Sequence, residues 1–200
     1  MSVKIVCCGD SITGDTYVGA GNDYPSLLDA AVSGSTVVNL FAGGAVLSEG
    51  AGDDADAEYD AGFDFNICTV LFGANDMTTS GANQTGAQFE ASLKSWCQDR
   101  QAAGFLVVVL TTLAHNTDGG VQIPRRNVAN AATRQDPSFY DALADLALNA
   151  TLGTDTSQNN ATYFSDGVHP TLAGNQIIRD IVVDAINTLI VPRTVAWRSI

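Results

Sequence analysis

Asp166 and His169 stand three residues apart in the stretch Ser165-Asp166-Gly167-Val168-His169-Pro170, and His169 is one of only two histidines in the chain. That spacing serves one of two ends. An acid beside an imidazole can hold the ring in one tautomer and stabilise its charged form, so that the ring takes a proton from a nucleophile. Alternatively the pair is a polar turn that opens a helix, with Pro170 in the first helical turn. The first reading needs a nucleophile. Ser11, in Gly9-Asp10-Ser11, is the candidate. A serine hydroxyl gives up its proton only to a base, so the two ends of the chain have complementary needs. A reaction of this kind also needs donors for a developing oxyanion. The Ser11 region, a glycine of Phe41-Ala42-Gly43-Gly44 and the amide of Asn75 in Gly73-Ala74-Asn75-Asp76 are of the right type.

The elements that must position these residues alternate. Apolar, strand-like runs lie at 3-VKIVCC-8, 36-TVVN-39, 66-NICTVLF-72 and 105-FLVVVL-110. The last is a continuous apolar run, as expected for a parallel strand covered on both faces. A helix is predicted over 24–32, with Asp23 as cap and Pro25 in its first turn. Phe89, Leu93, Trp96 and Cys97 share one face of a helix over 86–103. Part of the acidic segment 49–64 is helical in this reading, 111–124 is a loop, and two helical segments span 125–149. A short extended stretch lies near Tyr163, a last helix covers 171–190, and 191–200 is a tail. Alternating strands and helices predict a parallel sheet between helical layers in one domain, residues 1–190. In such sheets functional groups gather at the carboxyl ends of the strands. Ser11, the Gly43-Gly44 pair and Asn75 follow the first three strands, and His169 precedes the last helix.

Gly9-Asp10-Ser11-Ile12-Thr13, Gly44, Gly73-Ala74-Asn75-Asp76 and Asp166-Gly167-Val168-His169-Pro170 together resemble the four blocks of the SGNH, or GDSL-type, hydrolases. The blocks occur in that family's order and spacing across roughly residues 3–190. A GDS tripeptide alone carries little weight; four blocks in order carry much more. The resemblance implies a three-layer α/β/α sandwich of flavodoxin-like topology and metal-free, cofactor-free ester hydrolysis through an acyl-serine. Ser11 would be the nucleophile, His169 the base and Asp166 the orienting acid, with Ser11, Gly44 and Asn75 as the oxyanion hole. Gly44 is preferred to Gly43 because it lies five residues beyond Asn39, the family's offset. Asp10 and Asp76 read as turn-holding residues. His115, in 111-TTLAHNTDGG-120, is either a substrate contact or part of a solvated loop. Arg125 and Arg126 either bind an acidic substrate group or pair with acids on the protein's own surface.

Composition narrows the partners. The chain of 200 residues has a formal net charge of −13 and nine Lys plus Arg. Such a surface repels phosphate backbones and anionic lipid, so nucleic-acid and membrane partners are discounted, and neutral or cationic substrates are favoured. The N-terminus, MSVKIVCCGDS, does not read as a signal peptide, which suits a cytoplasmic protein or a domain of a larger secreted one. Cys7, Cys8, Cys68 and Cys97 show no metal-ligand spacing and are expected as buried free thiols, Cys7 and Cys8 on opposite faces of the first strand. The expected substrate is a small-molecule or carbohydrate ester, with acetyl the preferred acyl group, because no lid or long apolar insert is present to hold a fatty chain. Rival readings are a broad esterase or lysophospholipase/thioesterase-like enzyme and, from another class, a non-catalytic carbohydrate-binding domain. A nucleotide binder is disfavoured, since the first turn lacks a G-x-G-x-x-G or P-loop pattern.

Overall fold

The computed structural model describes residues 1–50 and 52–190. The tail expected over 191–200 lies outside the described residues. Five strands form one sheet: β1 (Val3–Gly9), β2 (Ser35–Phe41), β3 (Phe65–Leu71), β4 (Leu106–Leu110) and β5 (Ala142–Ala144). All neighbours pair in parallel, in the order β2-β1-β3-β4-β5, the flavodoxin-like arrangement. The helices are α1 (Tyr24–Ala31), α2 (Gly86–Ala102), α3 (Gln122–Gln135) and α4 (Leu172–Leu189). The expected α/β/α sandwich is what the chain forms.

Each strand of the sheet's centre feeds both layers, because successive side chains point to opposite faces. Ile5, Cys7, Ile67, Leu71, Val108 and Leu110 pack against Tyr24 and Leu28 of α1 and Ile178, Val182 and Ile186 of α4. Val6, Cys8, Cys68, Val70, Val107 and Val109 pack against Phe89, Leu93 and Trp96 of α2 and Ala129 of α3. Cys7 and Cys8 thus enter opposite cores, and all four cysteines are free and buried. Local signals set the starts of α1, α2 and α4. Asp23 accepts the Ser26 N–H at 3.1 Å ahead of Pro25, and Thr85 and Gln88 form a reciprocal capping box at the start of α2. Thr171 accepts the Gly174 N–H at 3.3 Å and starts α4. Caps of this type stabilise a helix by about 1 kcal/mol.

Four expectations are corrected. The segment 125–149 is not two helices: α3 ends at Gln135, and a short edge strand, β5, follows after a single 3₁₀ turn. The loop expected over 111–124 gives way to α3 at Gln122. Asn39 does not end β2, which runs on to Phe41. Pro170 lies before the cap of α4, paired with Phe164 in an isolated antiparallel bridge, and not in the first helical turn. The acidic segment does turn helically, as a 3₁₀ stretch over Asp53–Glu58 that brings Asp53 and Asp56 to Arg100 of α2.

Candidate active site

The register brings three strand tips level. Gly9 at the end of β1 pairs with Phe41 of β2 on one side and Leu71 of β3 on the other. Past Gly9 the chain turns sharply. The Asp10 carboxylate accepts the Ile12 N–H at 2.9 Å, and the Asp10 carbonyl accepts the Thr13 N–H at 3.0 Å. A Cβ on residue 9 would collide with the Thr13 side chain and the Leu71 carbonyl, so only glycine permits this turn. The turn leaves Ser11 part-exposed at the tip of β1.

After β2, the Ala42 carbonyl accepts the Ala45 N–H at 3.2 Å, with Gly43 and Gly44 between them. Gly44 has φ +76°, the left-handed value that the third position of a type II turn requires. After β3, the Asp76 carboxylate accepts the Gly73 N–H at 3.1 Å and, across the gap between loops, the Leu47 N–H at 2.8 Å. Asp76 is buried and ties the loop of Gly44 to the loop of Asn75. Burial pushes its carboxyl up, against the pull of the backbone N–H groups. The Asn75 amide donates to the Ala45 carbonyl at 3.1 Å and faces the Asp10 carboxylate at 3.4 Å.

His169 arrives from the far end of the chain. The carbonyl oxygen of the Asn175 side chain, in the first turn of α4, accepts the Tyr24 N–H of α1 at 3.0 Å. This bond seats the start of α4 beside the start of α1, and so brings the loop before α4 over the tip of β1. There His169 Nε2 lies 2.9 Å from Ser11 Oγ, and His169 Nδ1 lies 2.7 Å from Asp166 Oδ2. The other Asp166 oxygen accepts the Val168 N–H at 3.0 Å and the His169 N–H at 2.8 Å. Partial burial opposes the Asp166 charge, but these bonds outweigh it and hold the carboxyl below the ordinary aspartate range. An ionised Asp166 at Nδ1 leaves the proton there and the Nε2 lone pair free to accept from Ser11.

Ser11, Gly44, Asn75 and His169 line one pocket of about 210 Å³, together with Tyr17, Ala74, Thr78, Ser80, His115, Thr117 and Val168. A wider groove of about 550 Å³ runs along the β2 edge, lined by Ser26, Asp29, Ser35, Thr36, Val37 and Asn39. It is larger, but it brings together no nucleophile and base. The smaller pocket is therefore the candidate site. Gly44 lines it and Gly43 does not.

His115 is neither solvated nor free to bind substrate through its ring nitrogens. It is 2% exposed. Its Nε2 donates to the Ala74 carbonyl at 2.9 Å, so Nδ1 is left to accept from Thr117 Oγ1 at 3.1 Å. Burial pushes its pKa down, with the Ala74 bond only partly opposing this. His115 braces the peptide that carries Asn75. Arg126 pairs with Asp155 at 3.0 Å, as the surface-acid reading expected. Arg125 donates to the Met77 carbonyl and the Asn83 side chain, and meets no acid among the described residues. Tyr17 escaped the sequence reading altogether. Its ring lies against the imidazole of His169. The signal was present: Tyr17 is the sole aromatic in the polar, glycine-rich run from Ser11 to Asp23.

The GDSL-like lipase/acylhydrolase family model matches residues 7–177, from β1 to the first turns of α4. The chain belongs to this family. No curated protein matches the sequence. Solved structures agree with the GDSL family in fold. A lipolytic G-D-S-L family protein from Veillonella parvula superposes with a TM-score of 0.71 at 16% identity, covering 93% of this chain and 99% of that one. The structure of TesA gives 0.69 at 22% identity, covering 94% and 99%. A mutant of Axe2, an acetyl-xylooligosaccharide esterase from Geobacillus, gives 0.61 at 19% identity, covering 92% and 93%.

Proposed function

We propose that this GDSL-family chain is a serine ester hydrolase that removes small acyl groups, acetyl foremost, from a carbohydrate or another neutral alcohol. One observation carries the reading: an unbroken relay from Ser11 Oγ through His169 to Asp166, with steps of 2.9 and 2.7 Å. In the reaction, Ser11 Oγ bonds to the ester carbonyl carbon while its proton passes to His169 Nε2. The resulting oxyanion is met by the N–H groups of Ser11 and Gly44 and by the Asn75 amide. Collapse breaks the bond to the alkoxide, which takes the proton from His169 and leaves as the alcohol. Water then repeats the sequence on the acyl-serine, with His169 as base, and releases the acid. Asp166 keeps the proton on Nδ1 throughout.

The pocket supports a small acyl group. Its volume of about 210 Å³ is below the roughly 300–1,000 Å³ of sites for drug-sized ligands, and the polar residues Thr78, Ser80 and Thr117 share its wall with Ala74 and Val168. The net charge of −13 disfavours anionic substrates. The acetyl-xylooligosaccharide esterase among the structural neighbours is in keeping with this choice. The test is a panel of p-nitrophenyl esters of rising acyl length and of acetylated sugars. Ser11→Ala should lower kcat on the order of 10⁶-fold. Wild-type protein should be labelled by a fluorophosphonate and the variant should not. Equal activity in Ser11→Ala would refute the mechanism. An activity maximum at octanoyl or longer would replace the acetyl preference with the lysophospholipase/thioesterase-like reading. An unlabelled wild type would point to a binding module.

A further inference from the structure

Tyr17 lies flat on His169: the ring centroids are 3.5 Å apart and the planes are 8° from parallel. Core packing does not explain the placement. Tyr17 is 53% exposed and belongs to neither hydrophobic core. The backbone delivers it. The Val18 and Gly19 N–H groups both donate to the Asp15 carbonyl, at 3.1 and 2.7 Å, closing a turn with Tyr17 inside it. Gly19, at φ +86°, lets that turn end abruptly.

The imidazole has need of such a support. The side chain of Asp166 is 45% exposed. A carboxylate open to water and salt holds its partner weakly, and median values for exposed ion pairs are near zero to 1 kcal/mol. The in-plane bonds of the ring, to Ser11 and to Asp166, resist a small out-of-plane swing only weakly, because such a swing lengthens each bond little at first. A flat aromatic on one face blocks the swing toward that side without touching either bond. It also acts differently on the two charge states. The negative face of a phenol ring attracts an imidazolium and has no such pull on a neutral imidazole. The attraction therefore rises as His169 takes the Ser11 proton, and only interactions stronger in the transition state accelerate a reaction.

We propose that Tyr17 is a positioning residue for ester hydrolysis: its ring locks the His169 imidazole on the line between Ser11 and Asp166 and favours the imidazolium as it forms. The proposal rests on the Ser11–His169 reading above. It is tested with Tyr17→Leu, which keeps apolar bulk and removes the π face, and Tyr17→Phe, which keeps the face. On p-nitrophenyl acetate, Tyr17→Leu should lower kcat about tenfold, equivalent to about 1.4 kcal/mol, with KM nearly unchanged. Tyr17→Phe should restore kcat to near the wild-type value. The low-field Nδ1 proton of His169, which is sharp only while the ring stays on Asp166, is followed by NMR without substrate. It should be sharp in wild type and Tyr17→Phe and broadened in Tyr17→Leu. Unchanged kcat in Tyr17→Leu, an equal loss in both variants, or a rise in KM alone would overturn the proposal. The last of these would make Tyr17 a substrate platform. If wild type neither turns over esters nor takes the fluorophosphonate, the hydrolase reading falls by itself. The NMR comparison then still decides whether Tyr17 holds the ring: broadening in Tyr17→Leu supports the lock, and a sharp signal ends it.

Discussion

Asp10 should destabilise the protein at neutral pH, and Asp10→Asn should relieve it. The carboxyl is 1% exposed. It accepts one N–H, from Ile12 at 2.9 Å, and faces the Asn75 amide at a long 3.4 Å. Burial pushes its pKa up to about 7; the Ile12 N–H pulls against this, and the Asp76 charge adds to it. In the unfolded chain the same carboxyl ionises near pH 3.9. Between about pH 4 and pH 7 the unfolded chain has therefore shed a proton that the folded protein keeps. Stability from this group is fully present below about pH 4 and is lost as pH rises through about 7. The gap is about three pH units at 1.36 kcal/mol each, or about 4 kcal/mol. That is a large share of the 5–15 kcal/mol typical of a domain.

Asn at position 10 keeps an acceptor for the Ile12 N–H and is neutral at every pH. It forfeits the weak contact with Asn75, at about 1 kcal/mol. Relative to wild type, Asp10→Asn should thus be less stable by about 1 kcal/mol near pH 4 and more stable by about 3 kcal/mol near pH 8. The alkaline gain corresponds to a rise in Tm of about 6–12 °C for a chain of this size. Urea unfolding of both proteins at intervals over this range measures it. His115, whose lowered pKa removes stability as pH falls below about 6.5, acts in both proteins and cancels in the difference. Asp76 cancels only in part: its carboxyl is also raised, and it repels the Asp10 charge that Asp10→Asn removes. A difference that stays constant from pH 4 to pH 8 would show that Asp10 is ionised in the folded protein throughout, and the argument from its burial would fail.

Gly44→Ala must hold a Cβ at φ +76°, at a strain of about 1–2 kcal/mol, whereas Gly43→Ala meets open space at an ordinary φ. Thermal melts and kcat should therefore fall for Gly44→Ala and hardly move for Gly43→Ala; the reverse pattern would transfer the oxyanion donor to Gly43. His115→Ala strips the Ala74 carbonyl of its donor and should cost about 1–3 kcal/mol in urea unfolding. Because His115 braces Asn75 and does not touch substrate through a free nitrogen, kcat should fall with KM held. A change in KM alone would restore the substrate-contact role.

What was legible in the sequence, and what was not, follows from how far each cause reaches along the chain. Caps and strand runs are local, so Asp23 and the run of β4 were readable from a few neighbours. β5 was not. Its three residues, Ala142–Ala144, favour a helix by type, and tertiary bonds decide against it. The Asp141 N–H donates to the Val107 carbonyl at 2.8 Å, the Asp141 carboxylate accepts the Val107 N–H at 2.8 Å, and the Thr111 N–H donates to the Ala144 carbonyl at 3.2 Å. These partners lie some thirty residues away, beyond any periodicity. The same division runs through the site. Ser11, Asn75 and His169 carry chemistry in their types and could be found one by one. The link that brings His169 to Ser11, across 158 positions, is made partly by Asn175 and Tyr24, which take no part in the chemistry. Tyr17 belongs with them: its role depends on a 3.5 Å stack on a residue from the other end of the chain. Reactive groups in such a protein are visible by type, while the residues that aim them are visible only once the chain has closed.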